Sequence, residues 1–568
     1  MSHDAFSLTT PIYYVNAAPH LGTAYTTIAA DVITRYERMK GRAVSFVTGL
    51  DEHGQKVAST AESKHMTPQA WCDSMVPAFK NAWDMLDIRY TDFVRTTEPR
   101  HTKTVQQFWN DLFDKGFLYK SCYEGWYCVH EETYYTQSDI EFDENDVEVC
   151  PECHRPLQHS AGEENWFFKL SEFQDKLLAF YDAHPDFIRP VTRRNEVVSF
   201  VKSGLRDLSI SRSTFSWGVP LTFDEGHVAY VWADALLSYV TGNGFADPSR
   251  PGDFERFWPP AYHIVGKDIL RFHCVIWPAM LMAAGYPIAH CVFGHGFLLT
   301  KGEKMSKSRG NAMQPADLVR VFGSDAYRYY FMSDIQFGHD GSISLERMTQ
   351  VYNADLANTW GNLCSRVFNM TQKYFDGRVP CVDGDGACAG DGAGDGAGAG
   401  DGGERVAACG AAESADAAFV PSPEQDALLH ENPLRDLADK LLEKYDPAME
   451  ALDYMGAALA VQELASRVNL YVEQSAPWTL AKHAATQPHL KQVIYNSLEA
   501  IRLIALYLSP FMPRTSAEVY RRLELDINEV RNFEHESQWG MLSSGNKVEV
   551  GEALFPRLDI SSLNLDDE

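Results

Sequence analysis

No long apolar run occurs in this sequence. Stretches such as Trp277–Ala284 fall far short of the ~20 residues a membrane span requires, so no membrane partner is expected. The opening residues, MSHDAFS, carry neither a basic flank nor an apolar stretch, and no signal peptide is expected. Cysteine is sparse and odd in number, 11 in 568 residues, clustered only at Cys150-Pro-Glu-Cys153. That excludes a disulfide framework and suits a reduced, cytoplasmic protein with room for one metal site. Basic charge is short as well: 50 Lys and Arg stand against 78 Asp and Glu, a net charge of −28. Taken alone, this argues against nucleic-acid binding, although a large protein can keep one basic face. Apolar residues at 45% and charged residues at 23% are ordinary for a folded protein.

Residues 381–403 read CVDGDGACAGDGAGDGAGAGDGG, with 10 Gly in 23 residues. Such a stretch cannot bury a core and reads as a flexible linker. Before it, short β-type runs alternate with helical patterns. Phe6–Thr10 reads as a strand. A helix runs from about Gly22 to Lys40, with Ala24, Ile28, Val32 and Tyr36 on one stripe and Gly41 as its stop. Ala43–Thr48, Tyr262–Val265 and His290–Phe293 are further strands. This alternation predicts an α/β fold, a Rossmann-like parallel sheet whose ligands sit beyond the carboxyl ends of its strands. After the linker the pattern is helical only, at Ala427–Tyr445, Tyr454–Gln474 and Leu490–Leu508, which predicts a helix bundle. The expected divisions are 1–118 and 221–350 for the two halves of the sheet domain, 119–220 for an insertion, 351–380 and 421–536 for the bundle, 381–420 for the linker, and 537–568 for a tail packed back on the protein.

Two clusters carry chemistry. Pro19-His20-Leu21-Gly22-Thr23 opens the first long helix, where a Gly and the helix's first amides form an anion site and His20 can donate to a phosphoryl oxygen. Lys304-Met305-Ser306-Lys307-Ser308 lies in a loop about 285 residues downstream. An HxG start paired with KMSKS is the two-part signature of class I aminoacyl-tRNA synthetases. The segments Thr10-Pro-Ile-Tyr-Tyr-Val-Asn16, Thr48-Gly-Leu-Asp-Glu-His-Gly-Gln55, Tyr230-Val-Trp-Ala-Asp-Ala235, Gly266-Lys-Asp-Ile269 with Phe272-His273, and Gly294-His-Gly296 resemble the methionyl-tRNA synthetases from about Leu8 to Arg557, the linker excepted.

The resemblance implies methionine–tRNA ligation with ATP and Mg²⁺. His20, Lys304 and Lys307 would be catalytic, and His20, Gly22, Thr23, Gly266 and Lys307 would bind ATP. Asp51 would take the methionine ammonium, with Ile12, Tyr14, Trp232, Ala235, Tyr239, Ile269, Phe272 and His273 around the side chain. Asn362, Arg366 and Trp478 would read the anticodon of tRNA(Met), initiator and elongator alike, with Asn469 beside them. Two departures stand out. Thr23 occupies the place of the family's second signature His, so its hydroxyl substitutes, another residue takes the role, or activity is reduced. Leu236 stands where a Pro often follows Ala235. The relatives' zinc knuckle has four ligands. Here Cys128, Cys150 and Cys153 remain, with His130 or His154 to complete a Zn²⁺ site, and thiols without metal are the rival reading. The chain shows no appended dimerising domain after the bundle, and a monomer is expected. Rival functions are another class I synthetase, for Leu, Ile, Val or Cys, and a paralogue that binds tRNA or nucleotide without ligating.

Overall fold

The computed structural model describes residues 4–128, 133–135, 140–300, 303–304, 314–382 and 432–559. They form two compact units, divided between Leu345 and Glu346.

The first unit is built on six parallel strands: β1 (Ala5–Tyr14), β2 (Ala43–Asp51), β3 (Asp92–Arg95), β4 (Ile188–Arg189), β5 (Ala261–Gly266) and β6 (Cys291–His295). Their order is β3-β2-β1-β5-β6-β4. The chain thus winds outward from β1 in both directions, and the crevice beyond β1 and β5 is where such sheets take ligands. β1 runs four residues beyond the expected Thr10. Pro11 cannot donate to the ladder, and the register with β2 shifts between Thr9 and Ile12 to accommodate it. The shift sets Tyr14 directly opposite Asp51.

The helix predicted after β1 is α1, Leu21–Met39, and Gly41 follows it at φ 82°. Its predicted stripe, Ala24, Ile28, Val32 and Tyr36, is fully buried. So is Asp31, which no stripe accounts for. Its carboxylate meets Arg35 at 2.6 Å and Arg328 at 2.7 Å and accepts the Arg89 amide at 2.8 Å. Burial pushes this carboxyl upward, but the two guanidinium groups outweigh it and hold it below its usual range. The triad ties α1 to the helix Ser324–Ser333.

Within the insertion, strands Leu118–Cys128 and Gln158–Phe168 pair antiparallel, and Cys150 and Cys153 lie between them in the chain. The second unit contains helices Asn362–Phe375, Tyr454–Ser475, Gln487–Leu508 and Pro513–Arg522. The single helix expected over Ala427–Tyr445 is instead Pro433–Asp439 followed by Leu441–Glu450, which continues through Pro447. Residues 427–431 lie outside the described set. The irregular segment after 537 is held by buried Glu499, whose carboxylate accepts the amides of Gly540, Met541 and Leu542 and pairs with Arg502 at 2.6 Å. Eight described cysteines are free thiols.

Candidate active site

His20 is the N-cap of α1, extended at φ −115°, ψ 176°. Its Nδ1 accepts from the Gly22 amide at 3.1 Å and the Thr23 amide at 3.4 Å. In return the His20 amide donates to Thr23 Oγ1 at 3.0 Å, and Thr23 Oγ1 donates to the His20 carbonyl at 2.7 Å. This is a capping box in which histidine and threonine take the usual roles of threonine and glutamate. An imidazole that accepts at Nδ1 carries its proton on Nε2. The box therefore sets the tautomer that can donate to a phosphoryl oxygen. It also alters how the helix start works: the amides of Gly22 and Thr23 hold the ring. Gly22 serves by lacking a side chain, since a Cβ there would sit 3.0 Å from His20 Cε1.

The hydroxyl of Thr23 gives its proton to the backbone, which makes it a positioning group. Thr23→Val should leave the fold intact, remove an acceptor worth about 1 kcal/mol, and lower methionine-dependent ATP–pyrophosphate exchange several-fold. An unchanged exchange rate would show that the box does not orient His20.

His295, at the end of β6, lies against the second turn of α1. Its Nε2 is 2.8 Å from Thr26 Oγ1 and its Nδ1 is 2.8 Å from the Gly296 carbonyl. Burial lowers its pKa, so the ring is neutral. Gly266 ends β5 in register with His295. Gly296 permits the backbone of His339 and Asp340 to approach, because a Cβ would fall 2.2 Å from the His339 carbonyl carbon. Asp340 in turn binds the Phe297 amide at 2.8 Å and Lys267 Nζ at 2.7 Å. Both contacts anchor the root of the hairpin Leu298–Thr300 and Glu303–Lys304. Lys304 is placed in that second strand, and Lys307 lies outside the described residues.

On the other side of β1, Asp51 closes β2 with only 3% of its surface exposed. The expected aromatic residues converge nearby. Trp232 stacks on Phe272 with centroids 3.8 Å apart and meets the His273 ring edge-on. The Tyr239 hydroxyl is 2.6 Å from His273 Nε2, while His273 Nδ1 is 2.9 Å from the Ile269 carbonyl. With Nδ1 donating to that carbonyl, Nε2 accepts from the tyrosine. Burial depresses His273 to about 4 and raises Tyr239, the latter helped by Tyr13 and Asp51. Both therefore stay uncharged at neutral pH, which suits a thioether. Tyr14, Trp232, Ile269 and Phe272 pack half-buried against the core that contains Tyr239. Ala235 and Leu236 are buried at the end of the short helix Val231–Ala235. Ile12, half-buried, lies opposite Gly49.

Sequence reasoning quoted Glu52, His53 and Asp234 within motifs and assigned them nothing. Glu52 is buried and holds Arg95 at 2.7 Å and the Thr97 hydroxyl. Asp234 is shared by His53 Nδ1 at 2.6 Å and His101 Nε2 at 2.7 Å. Burial raises this carboxyl, but the two imidazoles prevail and bring it down to about 2. These pairs hold the chain just after Asp51 and just after Trp232. They join residues 43 to 181 apart in the chain, and no local pattern signals them.

Residues 6–368 match the family described as tRNA synthetases class I (M), and residues 420–564 match the anticodon binding domain of methionyl tRNA ligase. A methionine–tRNA ligase of Streptomyces coelicolor is 44% identical over 566 residues, spanning 98% of this chain and 97% of the relative. One of Thermotoga maritima is 42% identical, spanning 98% and 80%. The solved Mycobacterium tuberculosis methionyl-tRNA synthetase in complex with methionyl-adenylate superposes with a TM-score of 0.85 at 37% identity, covering 98% of this chain and all of that one.

The chain belongs to the methionine–tRNA ligases. It is a class I aminoacyl-tRNA synthetase with a Rossmann-like catalytic unit and a helical anticodon-binding unit, and the rival assignments to Leu, Ile, Val or Cys fall away. In the helical unit of this ligase, Asn362 is exposed at the start of its helix and Arg366 follows one turn on. Arg366 pairs with Glu473 at 3.1 Å, and Asn469 donates to the Thr359 carbonyl at 3.1 Å. Trp478, 38% exposed, follows the left-handed Ala476 that ends the helix Tyr454–Ser475. The ligase's three thiols, Cys128, Cys150 and Cys153, have sulfur atoms within 4.8 Å of one another. His130 lies outside the described residues. His154 is exposed and meets Glu141 at 3.3 Å.

Proposed function

We propose that this ligase activates L-methionine with ATP at the carboxyl edge of β1, β2, β5 and β6, then esterifies initiator and elongator tRNA(Met), working as a cytoplasmic monomer. One observation carries the reading. A buried carboxylate beside an uncharged aromatic cluster and an imidazole seated on a helix N-terminus lie at the ends of neighbouring strands of one sheet. Asp51 pairs with the substrate ammonium, and the Trp232–Phe272 stack, Tyr239 and His273 enclose the thioether. The methionine carboxylate then attacks the α-phosphorus of Mg²⁺-bound ATP. A carboxyl O–P bond forms and the bond to pyrophosphate breaks. His20 donates from Nε2 to the phosphoryl oxygens, and Lys307, supported by Lys304, neutralises the leaving pyrophosphate. Charge-assisted bonds of this kind are worth about 1.5–3 kcal/mol each, one to two decades of rate. Transfer follows when a tRNA ribose hydroxyl attacks the acyl carbon and AMP leaves. Asn362, Arg366 and Trp478 read the anticodon, a splayed base stacking on the indole while edges are hydrogen-bonded.

Exchange of labelled pyrophosphate into ATP, run with each of the twenty amino acids, tests the reading. Methionine alone should support exchange. Exchange with a different amino acid, or with none, would overturn it.

The three thiols fit zinc. Tetrahedral Zn–S bonds of about 2.3 Å place sulfurs roughly 3.8 Å apart, and Cys128 and Cys153 stand at 3.6 Å. With His130 or His154 as fourth ligand, the ion would cross-link the tip of the insertion. Elemental analysis of the purified ligase should give about one zinc per chain, and a Cys150→Ser, Cys153→Ser variant should give none. Absence of zinc from the parent protein would leave the thiols without a metal role.

A further inference from the structure

His263 sits in the strand run Tyr262–Val265, and no motif gives it a role. It is fully buried in β5, in register with Thr9 of β1, whose hydroxyl stands 2.6 Å from its Nδ1. Its Nε2 has no hydrogen-bond partner among the described residues. Burial and the neighbouring His273 hold its pKa well below the usual value, so the ring is neutral. An imidazole with one nitrogen buried and unpaired costs stability that an apolar side chain of similar size would not. Folding alone therefore favours another residue here, and the ring's contacts supply a different reason for it.

The His263 ring centre is 4.7 Å from that of Tyr239, with the planes tilted by 47°. It also stands 5.6 Å from Trp258, whose indole N–H is tied to the Pro287 carbonyl at 2.7 Å. Tyr239 belongs to the five-residue helix Ser238–Gly242, too short to hold itself. Asn243 fastens its backbone, donating to the Tyr239 carbonyl at 2.9 Å and accepting the hydroxyls of Ser7 on β1 at 3.1 Å and Ser45 on β2 at 2.8 Å. Gly242 lets the helix lie flush on β2, since a Cβ there would fall 2.4 Å from Val47 Cγ1. With the backbone held to the sheet, what remains free in Tyr239 is the swing of its ring. The bond to His273 stops the hydroxyl end, and the His263 ring stops the face.

We propose that His263 is a positioning residue of the methionine pocket: held by Thr9, its ring keeps the Tyr239 wall from yielding and so sets the length of thioether side chain that is admitted. This role rests on the ligase reading above. An apolar pocket discriminates one methylene by about 10–200-fold, and the upper part of that range needs walls that do not give. Thr9 serves by fixing the plane of the imidazole, which a ring without a polar atom could not offer.

Exchange of labelled pyrophosphate on the full chain, run with methionine and with ethionine, its S-ethyl homologue, tests this. The readout is the ratio of the two kcat/KM values, which does not depend on how much of a preparation is folded. His263→Ala, which removes the backing ring, should narrow the preference for methionine about tenfold. Thr9→Val combined with His263→Leu removes both polar partners and fills their volume. Its urea midpoint should equal or exceed the parent's, while the preference still narrows several-fold. Thr9→Ser, which keeps the hydroxyl, should keep the parent's preference. KM for ATP should stay within about twofold in every variant, because His20 lies on the other side of β1. The proposal is overturned if the double variant keeps the parent's preference, if the preference narrows only where the urea midpoint also falls, or if KM for ATP rises in step with that for methionine. A parent chain that shows no methionine exchange refutes the ligase reading and this role with it. A parent that exchanges methionine while its variants keep the preference refutes the role of His263 alone.

Discussion

Asp51→Asn should lower kcat/KM for methionine in the exchange reaction by two to three decades. The carboxylate closes β2 almost wholly out of solvent, opposite Tyr14 and near the uncharged ring of Tyr239. An ammonium drawn into such a place gives up its hydration, and a full opposite charge is what compensates it. Truncating one member of a buried charge pair typically costs 2–5 kcal/mol, largely because the other charge is left alone. Asparagine keeps the size and one acceptor but not the charge, so the loss should be in methionine capture. KM for methionine should rise steeply, while KM for ATP should change little, since His20 and the helix start stand on the other side of β1. A variant whose KM for methionine matched the parent would remove Asp51 from the ammonium site.

Asp31→Ala should lower the stability of the sheet unit by about 3–5 kcal/mol, since it leaves Arg328 and Arg35 buried without their shared counter-charge. The urea concentration that halves exchange activity reports on this unit directly. It should fall sharply for Asp31→Ala, and a midpoint equal to the parent's would show the triad to be dispensable. The same chemistry gives an acid limit. Asp31 and Asp234 both have folded pKa values below their unfolded ones, Asp234 at about 2. Their stabilisation is complete above the unfolded carboxylate range near pH 4 and is lost as pH falls through each group's folded value. Asp31→Ala should flatten part of the fall in stability below about pH 4.

The parts of the fold legible in the sequence are those with their own periodicity. β1, α1 and β2 show it in Phe6–Thr10, in the stripe from Ala24 to Tyr36, and in the apolar run Ala43–Thr48. β3 and β4, with four and two residues, have no pattern to read and are strands only because neighbours pair with them. The continuation of a helix through Pro447 was hidden for a different reason. Tyr445 and Met449 are buried on either side of the proline, and their packing sustains a helix that local propensity would end. In the site, motifs pointed to Asp51, His20 and the aromatic residues individually. They could not show that Asp234 is divided between His53 and His101, that Asp340 anchors Lys267, or that Thr23 faces the backbone. Each of these depends on atoms far apart in the chain, or on the orientation of a ring.

The ring of His20 has one edge against the first amides of a nineteen-residue helix and carries its proton on the other. It is thus a conductor between two dipoles. The partial positive end of α1 polarises the imidazole from behind and strengthens the N–H in front. A side chain that merely donates, such as lysine, would bring charge but no link to the helix. One that merely caps, such as serine, would keep the link but stop short of the nucleotide. Few groups other than an imidazole offer an acceptor and a donor across a rigid five-atom plate, which accounts for the choice of residue at this position on physical grounds alone.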